Sequence, residues 1–314
     1  MDNQTIIDIC NNYYITPKKI EILRNNERYL AKIETAHTYY LKGERADKTY
    51  WEACCTFANL LHEQGFNVTK YMQTIDGVYV IQHEDIVFTL EQALPGNPIN
   101  IITDKEISEI GRLLGIQHRL SMKIPNLFTN ATSWSMFGGN KTDALGDYDE
   151  NELSFIEFHK HFNTHPLFSQ IESHYQKYRY NLEQVWTRLP QGAVQGDFCY
   201  YNMVKLPDDA LAIYDFNIAG NEVYLNECIA VGVYHAWHAP YKGELKEQER
   251  FQLYMEAYLK ERPLEYLEQI YVNQLKSIIR AFRYDRVELG IALNNELMKD
   301  LFMKETLRIL EEAV

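Results

Sequence analysis

The most informative segment of the chain runs Val194-Gln195-Gly196-Asp197-Phe198-Cys199-Tyr200-Tyr201-Asn202-Met203-Val204, followed by Leu211-Ala212-Ile213-Tyr214-Asp215-Phe216-Asn217. Asp197 and Asn202 lie five positions apart in a predicted loop between strands, and Asp215 ends another predicted strand thirteen positions after Asn202. Phosphoryl transfer needs such groups, because one carboxylate accepts the proton of the attacking hydroxyl and hard oxygen ligands hold the Mg²⁺ that bridges nucleotide phosphates. The alternative is that Asp197 and Asn202 only cap turns, as these residue types often do.

Composition excludes several classes of protein. The chain has 314 residues with 46% hydrophobic side chains, which excludes intrinsic disorder, and its length favours two lobes or domains over one. Lys plus Arg number 31 against 44 Asp plus Glu, a net charge of −13 that argues against nucleic-acid or anionic-membrane partners. No apolar stretch reaches the ~20 residues that span a bilayer, and the N-terminus lacks a signal-peptide pattern. Five cysteines without a C-x-x-C pair fit a reducing compartment, so we expect a cytoplasmic protein.

The patterns divide the chain into a β-rich and a helical part. Period-two and helical spacings predict strands at residues 19–23, 29–34 and 38–43, a helix at 48–64, and strands at 77–81 and 86–90. The breaker segment Leu94-Pro95-Gly96-Asn97-Pro98 follows and predicts a boundary between an N-lobe, 1–95, and a C-lobe, 96–314. Helices are predicted at 104–120, 152–162 and 168–188, short strands near 193–195, 203–206 and 211–214, and helices almost throughout 222–314. The expected fold class is α+β and bilobal, with a ligand cleft between the lobes.

The two motifs resemble those of a known family. The D-x-x-x-x-N spacing with a later strand-borne Asp is similar to the protein-kinase-like superfamily, and most similar to its aminoglycoside phosphotransferase/choline kinase branch. That branch shows H-G-D-x-x-x-x-N and I-D-[FW]-x-x-A-G, where this chain has Gln195-Gly196-Asp197 to Asn202 and Tyr214-Asp215-Phe216-Asn217-Ile218-Ala219-Gly220. The resemblance implies a bilobal protein-kinase-like fold, Asp197 as catalytic base, and Asn202 and Asp215 as Mg²⁺ ligands.

Two positions depart from that pattern. Gln195 replaces the usual His, although its amide can both donate and accept hydrogen bonds, and Asn217 stands where a second Asp is common. An alternative function is therefore a catalytically inactive kinase-like protein that binds nucleotide or has a structural role, for example related to spore-coat assembly.

The resemblance also implies an ATP site in the N-lobe. Lys42, at the end of a predicted strand, matches the lysine that contacts the α- and β-phosphates, and Glu52 would be its ion-pair partner, with Glu44 also nearby. Gln92 and Leu94 match the inter-lobe backbone that pairs with adenine. Neither G-x-x-x-x-G-K-[ST] nor G-x-G-x-x-G is present, so the loop at residues 25–28 would cover the phosphates.

The acceptor is expected to be a hydroxyl on a small molecule, because no A-P-E motif follows Asp215. Residues 143–157 contain six carboxylates and no Lys or Arg, which would attract a cationic amino-alcohol or aminoglycoside into a cleft. The alternative is a solvated acidic face. Tyr200 and Tyr201, beside the predicted metal ligand Asn202, either contact substrate or pack.

Overall fold

The protein is described by a computed structural model that covers residues 1–129, 131–132, 135–137 and 150–313. It divides into two compact units. Unit 1 comprises Met1–Asn100, Lys123–Phe128 and Asp197–Ala219, and unit 2 comprises Ile101–Met122, Thr129–Gly196 and Gly220–Val314. The sequence division at residue 95 stays a prediction. In the structure the segment that carries Asp197 and Asp215 packs within unit 1.

The described residues contain ten strands and ten α-helices. The strands are β1 Lys19–Asn25, β2 Arg28–Glu34, β3 Thr38–Glu44, β4 Val80–His83, β5 Ile86–Gln92, β6 Asn97–Pro98, β7 Gln191–Val194, β8 Met203–Lys205, β9 Leu211–Ile213 and β10 Gly220–Val223. The helices are α1 Asn3–Asn11, α2 Lys48–Glu63, α3 Asp104–Ser121, α4 Glu150–Phe162, α5 Phe168–Glu183, α6 Tyr224–Val233, α7 Glu247–Glu261, α8 Tyr266–Ala281, α9 Tyr284–Ile291 and α10 Glu296–Glu311.

Unit 1 is built on an antiparallel sheet in the order β1-β2-β3-β5-β4. Three of its residues in adjacent strands, Ala31, Leu41 and Leu90, are fully buried and lie directly opposite one another, so they share one face. That face packs against Ile6 and Ile9 of α1. The opposite face carries Lys42, and the candidate site lies there.

A smaller sheet in unit 1, in the order β6-β8-β9, carries the motif segments. Helix α2 begins after Asp47, whose side chain accepts a hydrogen bond from Tyr50 N, and is followed by Gly65 in a left-handed conformation with φ +81°. The strand and helix predictions for this unit are confirmed except at 77–81, where the strand begins only at Val80 and continues to His83; α1 was not predicted. It has only nine residues, too few for its apolar spacing to stand out.

Unit 2 is mainly helical, with one two-stranded sheet formed by β7 and β10. Its core is rich in aromatic side chains, and Phe155 stacks on Tyr175 with ring centroids 3.8 Å apart. Helices α3 and α7 approach closely at Gly111 and Gly115, where a Cβ atom would lie 2.3 and 2.7 Å from backbone oxygens of α7. The predicted α+β class, a β-rich part followed by a mainly helical part, is confirmed; β10 was not predicted.

The predicted acidic segment lies mostly outside the described residues, which exclude positions 143, 147 and 149 and the side chain of position 150. Two of its carboxylates are described and both have basic partners. Glu152 lies 3.2 Å from Arg179, and Glu157 pairs with Lys160. The expectation of uncompensated charge is therefore wrong for these two residues, because their partners lie outside the segment in sequence. Within the described ranges, no helix has the length and apolar character that crossing a bilayer requires.

Candidate active site

The β8–β9 hairpin brings the predicted metal ligands close together. Asn202 immediately precedes β8, and Asp215 is the second residue after β9. Met203 lies opposite Ile213 in the antiparallel pairing. The backbone N–H of Tyr214 donates to the carbonyl of Asn202 at 3.0 Å. Two residues thirteen positions apart in sequence are therefore held at neighbouring positions by the hairpin.

Asp215 has an unusual backbone conformation. Its φ is +65°, in the left-handed region that non-glycine residues adopt at a cost on the order of 1 kcal/mol and that Asp tolerates better than most. The next residue, Phe216, is fully buried with its ring edge-on to Phe57 at 5.8 Å. The hydroxyl of Tyr50 donates to the carbonyls of Asn217 and Ala219 at 3.0 and 2.9 Å. These contacts fix the chain after Asp215 and hold its strained conformation.

Asp197 is oriented by two neighbours in its own loop. Asn202 Nδ2 donates to Asp197 Oδ2 at 2.8 Å, and the hydroxyl of Tyr201 donates to Asp197 Oδ1 at 2.8 Å. The hydroxyl of Tyr214 donates to the carbonyl of Tyr201 at 2.6 Å. Burial, together with nearby Cys199 and Asp197, raises the pKa of the Tyr201 hydroxyl, so it remains a protonated donor. The structure therefore connects Asp197 directly with Asn202, and it shows that Tyr201 contacts Asp197.

Lys42 lies between two carboxylates. Its Nζ is 3.0 Å from Glu91 Oε1 and 3.4 Å from Asp215 Oδ1. Burial disfavours the charged ammonium, but Glu91 and Asp215 outweigh this effect and raise the pKa of Lys42. Burial also raises the pKa of Glu91, against the opposing effect of Lys42. Lys42 is thus a firmly charged ammonium beside the predicted metal ligand Asp215.

The sequence predicted an ion pair between Lys42 and Glu52, but in the structure Lys42 pairs with Glu91 and Asp215. The Glu52 carboxylate instead accepts hydrogen bonds from the backbone N–H groups of Tyr79, at 2.8 and 3.0 Å, and Val80, at 3.0 Å. Glu91 takes the place next to Lys42 because Tyr40 pairs with Glu91 and Lys42 with Thr89, so Lys42 and Glu91 are diagonal neighbours on one face. The sequence held one signal for this: Glu91 is the only charged residue in Ile86–Gln92, and a carboxylate in a buried strand needs a cation.

A cavity of about 520 Å³ lies against the Lys42 face of the sheet, and all of its lining residues belong to unit 1. Lys42, Glu91, Gln92, Leu94 and Asp215 are among them. The carbonyl of Gln92 accepts a hydrogen bond from Thr69 Oγ1 at 3.0 Å and, like any carbonyl, has a second lone pair. The Leu94 N–H donates to no acceptor in the described part of the chain. The two residues predicted to contact adenine therefore both line the cavity, and between them they have a backbone acceptor and a backbone donor.

The donor set is compatible with a divalent cation that also binds phosphate. The described residues contain no cluster of three or more His, Cys, Asp or Glu that would hold a metal by protein ligands alone. Mg²⁺ characteristically takes one or two carboxylates and completes its shell with substrate phosphates and water. Asp215 would supply a carboxylate, and Asn202 would supply its amide oxygen, because its Nδ2 is engaged by Asp197.

The residue before Asp197 is anchored in unit 2 by a buried chain of hydrogen bonds. Gly196 N donates to Glu227 Oε1 at 2.9 Å, and Glu227 Oε2 lies 2.7 Å from Nε2 of His118. His118 Nδ1 lies 2.8 Å from the hydroxyl of Tyr258, which accepts from Arg262 at 2.9 Å. Burial and the charge of Arg262 lower the pKa of His118, so its ring is neutral, with Nε2 donating to Glu227 and Nδ1 accepting from Tyr258.

No family model and no curated protein matches the sequence. Solved structures do match. An amicoumacin kinase in complex with AMP-PNP and Ca²⁺ superposes with a TM-score of 0.64 at 14% identity, over 100% of this chain and 93% of that one. A microcompartment-associated aminopropanol kinase gives 0.62 at 12% identity, over 99% and 95%. A choline kinase from Streptococcus pneumoniae gives 0.51 at 12% identity, over 99% and 98%. The chain therefore has the fold of these amicoumacin, aminopropanol and choline kinase structures, as its motifs predict.

Proposed function

We propose that the protein is a small-molecule kinase that transfers the γ-phosphoryl group of ATP to a hydroxyl. The observation that carries the proposal is the arrangement of four residues within unit 1. Lys42 and Asp215 form an ion pair on the wall of a cavity. The β8–β9 pairing holds Asn202 beside Asp215, and the Asn202 amide donates a hydrogen bond to Asp197. These are the types of group that phosphoryl transfer requires. The same fold in kinases of small hydroxyl compounds supports this function over a protein kinase.

Asp197 is proposed to accept the proton of the acceptor hydroxyl. Each of its carboxylate oxygens accepts a hydrogen bond within the loop, Oδ1 from the Tyr201 hydroxyl and Oδ2 from the Asn202 amide. The two donors fix the plane of the carboxylate, which limits the orientations that the acceptor oxygen can take toward the phosphorus.

ATP and Mg²⁺ are the proposed cofactors, which the AMP-PNP and Ca²⁺ of one structural neighbour support. Asp215 and Asn202 would hold the cation, which supplies compensation for the phosphate charge. Lys42 would contact the α- and β-phosphates and keep Glu91 as its fixed partner. The Gln92 carbonyl and the Leu94 N–H would bind adenine. Glu52 has no part in this proposal, because its carboxylate holds the backbone at residues 79–80.

The proposed acceptor is a small alcohol that also carries an amine or a quaternary ammonium. The net charge of −13 favours cations near the protein surface, and two structural neighbours are an aminopropanol kinase and a choline kinase. The alternative of an inactive protein rests on Gln195, which is fully buried, and on Asn217.

A screen for ATP consumption against matched acceptors tests the proposal. The panel would contain amino-alcohols and aminoglycosides, neutral sugars, and hydroxy acids, each assayed in the presence of Mg²⁺. The Asp197→Asn variant would measure the background rate of ATP consumption. We expect phosphorylated product from at least one amine-bearing alcohol and a KM that rises with ionic strength, because salt screens the attraction. A preference for a neutral or anionic acceptor would refute the acceptor class and leave the kinase assignment in place. Nucleotide binding without turnover of any acceptor would favour the inactive alternative.

A further inference from the structure

The cavity in unit 1 is lined by three basic residues whose surroundings differ. Lys42 is paired with Glu91 and Asp215, and Arg28 Nε lies 3.0 Å from Glu44 Oε2. For Arg24, by contrast, no carboxylate of the described residues lies within ion-pair distance, although Arg24 also lines the cavity. Among the described residues that line the cavity, Arg24 is therefore the one cation with no carboxylate at ion-pair distance.

A β-bulge determines which face of the sheet Arg24 occupies. In the β1–β2 pairing, Ile22 lies opposite Ala31 and Arg24 lies opposite Leu30, so Leu23 is an extra residue. Without it, Arg24 would lie opposite Tyr29, on the face of the fully buried Ala31. The bulge thus moves Arg24 onto the face that lines the cavity.

The same register places Arg24 in line with Lys42. Leu30 is opposite Arg24 in one pairing and opposite Lys42 in the next, so the three residues form a row across β1, β2 and β3. Since neighbouring strands are about 4.8 Å apart, the Cα atoms of Arg24 and Lys42 are separated by roughly 10 Å. The two cations can therefore reach into the same cavity from two sides of Leu30.

We propose that Arg24 binds the phosphate chain of the nucleotide, as a second cationic contact beside Lys42. This inference rests on the proposed function and adds a residue that neither motif contains. A guanidinium matches phosphate oxygens with paired N–H donors, and the β1–β2 hairpin has no glycine with which to bring its backbone close to a ligand. The hairpin contributes a side-chain charge to phosphate binding.

Titration calorimetry with Mg·ATP and with adenosine tests the proposal. We expect Arg24→Ala to weaken Mg·ATP binding roughly tenfold or more, the size of a hydrogen bond to a charged group, and to leave adenosine binding unchanged. Arg24→Lys should restore part of the affinity. Arg45→Ala is the matched control, because it removes the same charge from an exposed residue, paired with Asp85, that does not line the cavity. Its Mg·ATP affinity should stay within about twofold of the wild type.

Three results would overturn the inference. Unchanged Mg·ATP affinity in Arg24→Ala would remove Arg24 from the site and leave the proposed kinase function intact. Equal losses for adenosine and Mg·ATP would mean that Arg24 supports the shape of the hairpin and does not contact phosphate. A wild-type protein that binds neither ligand would overturn the proposed function and this inference together. Thermal melting without nucleotide, which should be the same for both alanine variants and the wild type, excludes a general folding defect.

Discussion

The two aspartates of the candidate site are held in different ways. Asp215 has a left-handed backbone conformation and lies 3.4 Å from the ammonium of Lys42. Asp197 accepts hydrogen bonds from two neutral donors of its own loop, the Tyr201 hydroxyl and the Asn202 amide, both at 2.8 Å. The first arrangement places a charge beside another charge, whereas the second fixes the orientation of a carboxylate.

This difference indicates a division of roles. A carboxylate that shares a cation with Glu91 belongs to an electrostatic cluster, and such a cluster suits the binding of a metal and phosphates. A carboxylate oriented by neutral hydrogen bonds is suited to receiving a proton along a defined direction. Substitution of each aspartate should therefore affect a different measurable step, and the following experiments are designed to separate these steps.

The largest effect is expected for Asp197→Asn. The amide keeps the size of the side chain and an oxygen for hydrogen bonding but cannot accept the acceptor's proton. We expect kcat to fall about 10²–10⁴-fold, the usual contribution of a general base, with the Mg·ATP affinity nearly unchanged. Steady-state kinetics and calorimetry on the same protein preparation measure both quantities. A kcat within a few-fold of the wild type would end the assignment of Asp197 as the base.

Asp215→Ala should show the opposite pattern, with a loss in binding. We expect Mg·ATP affinity to fall roughly ten- to hundredfold, because the charged ligand of the cation is removed. Metal-free ATP should bind the variant no more weakly than it binds the wild type, since Lys42 keeps its charge and loses an anionic neighbour. Asn202→Ala should weaken Mg·ATP binding less than Asp215→Ala, because it removes a neutral ligand. If Mg²⁺ still strengthens ATP binding in Asp215→Ala as much as in the wild type, the metal assignment fails.

Sequence patterns predicted the large elements and the residues that the β8–β9 hairpin brings together. Alternating strands, the helix at 48–64 and the short strands around Asp197 and Asp215 are all present, because each depends on local spacing that a single sequence displays. The family resemblance predicted that Asn202 and Asp215 bind one Mg²⁺, and the β8–β9 pairing holds the two residues at neighbouring positions.

Contacts that depend on register between distant strands were not predictable in the same way. Lys42 and Glu91 are 49 positions apart and meet only because β3 pairs with β5 in one particular register. The ten-residue spacing between Lys42 and Glu52 favoured Glu52 as the partner in sequence. In the structure the Glu52 carboxylate accepts hydrogen bonds from the backbone N–H groups of Tyr79 and Val80 instead. The bulge at Leu23 is a further example, because nothing in the local sequence marks the extra residue.

The smallest effect on activity is expected for Glu91→Gln, which tests the electrostatic half of the comparison. The substitution keeps the shape of the side chain but removes its charge, so of the two carboxylates beside Lys42 only Asp215 stays charged. We expect kcat/KM for ATP to fall about threefold to tenfold, because Lys42 is drawn toward Asp215 and is less well placed for the phosphates. The kcat/KM for the acceptor should be less affected, since Asp197 is held by hydrogen bonds from Tyr201 and Asn202.

Glu52→Gln is the matched control for Glu91→Gln. It makes the same chemical change at the residue that the sequence predicted as the ion-pair partner of Lys42. Its carboxylate accepts three contacts from two backbone N–H groups, so the neutral amide should lower the melting temperature by about a few degrees. Its kcat/KM for ATP, measured well below the melting range, should match that of the wild type. The reverse pattern, with kcat/KM lowered by Glu52→Gln and unaffected by Glu91→Gln, would restore Glu52 as the functional partner of Lys42. That result would contradict the pairing of Lys42 with Glu91 as the functional contact.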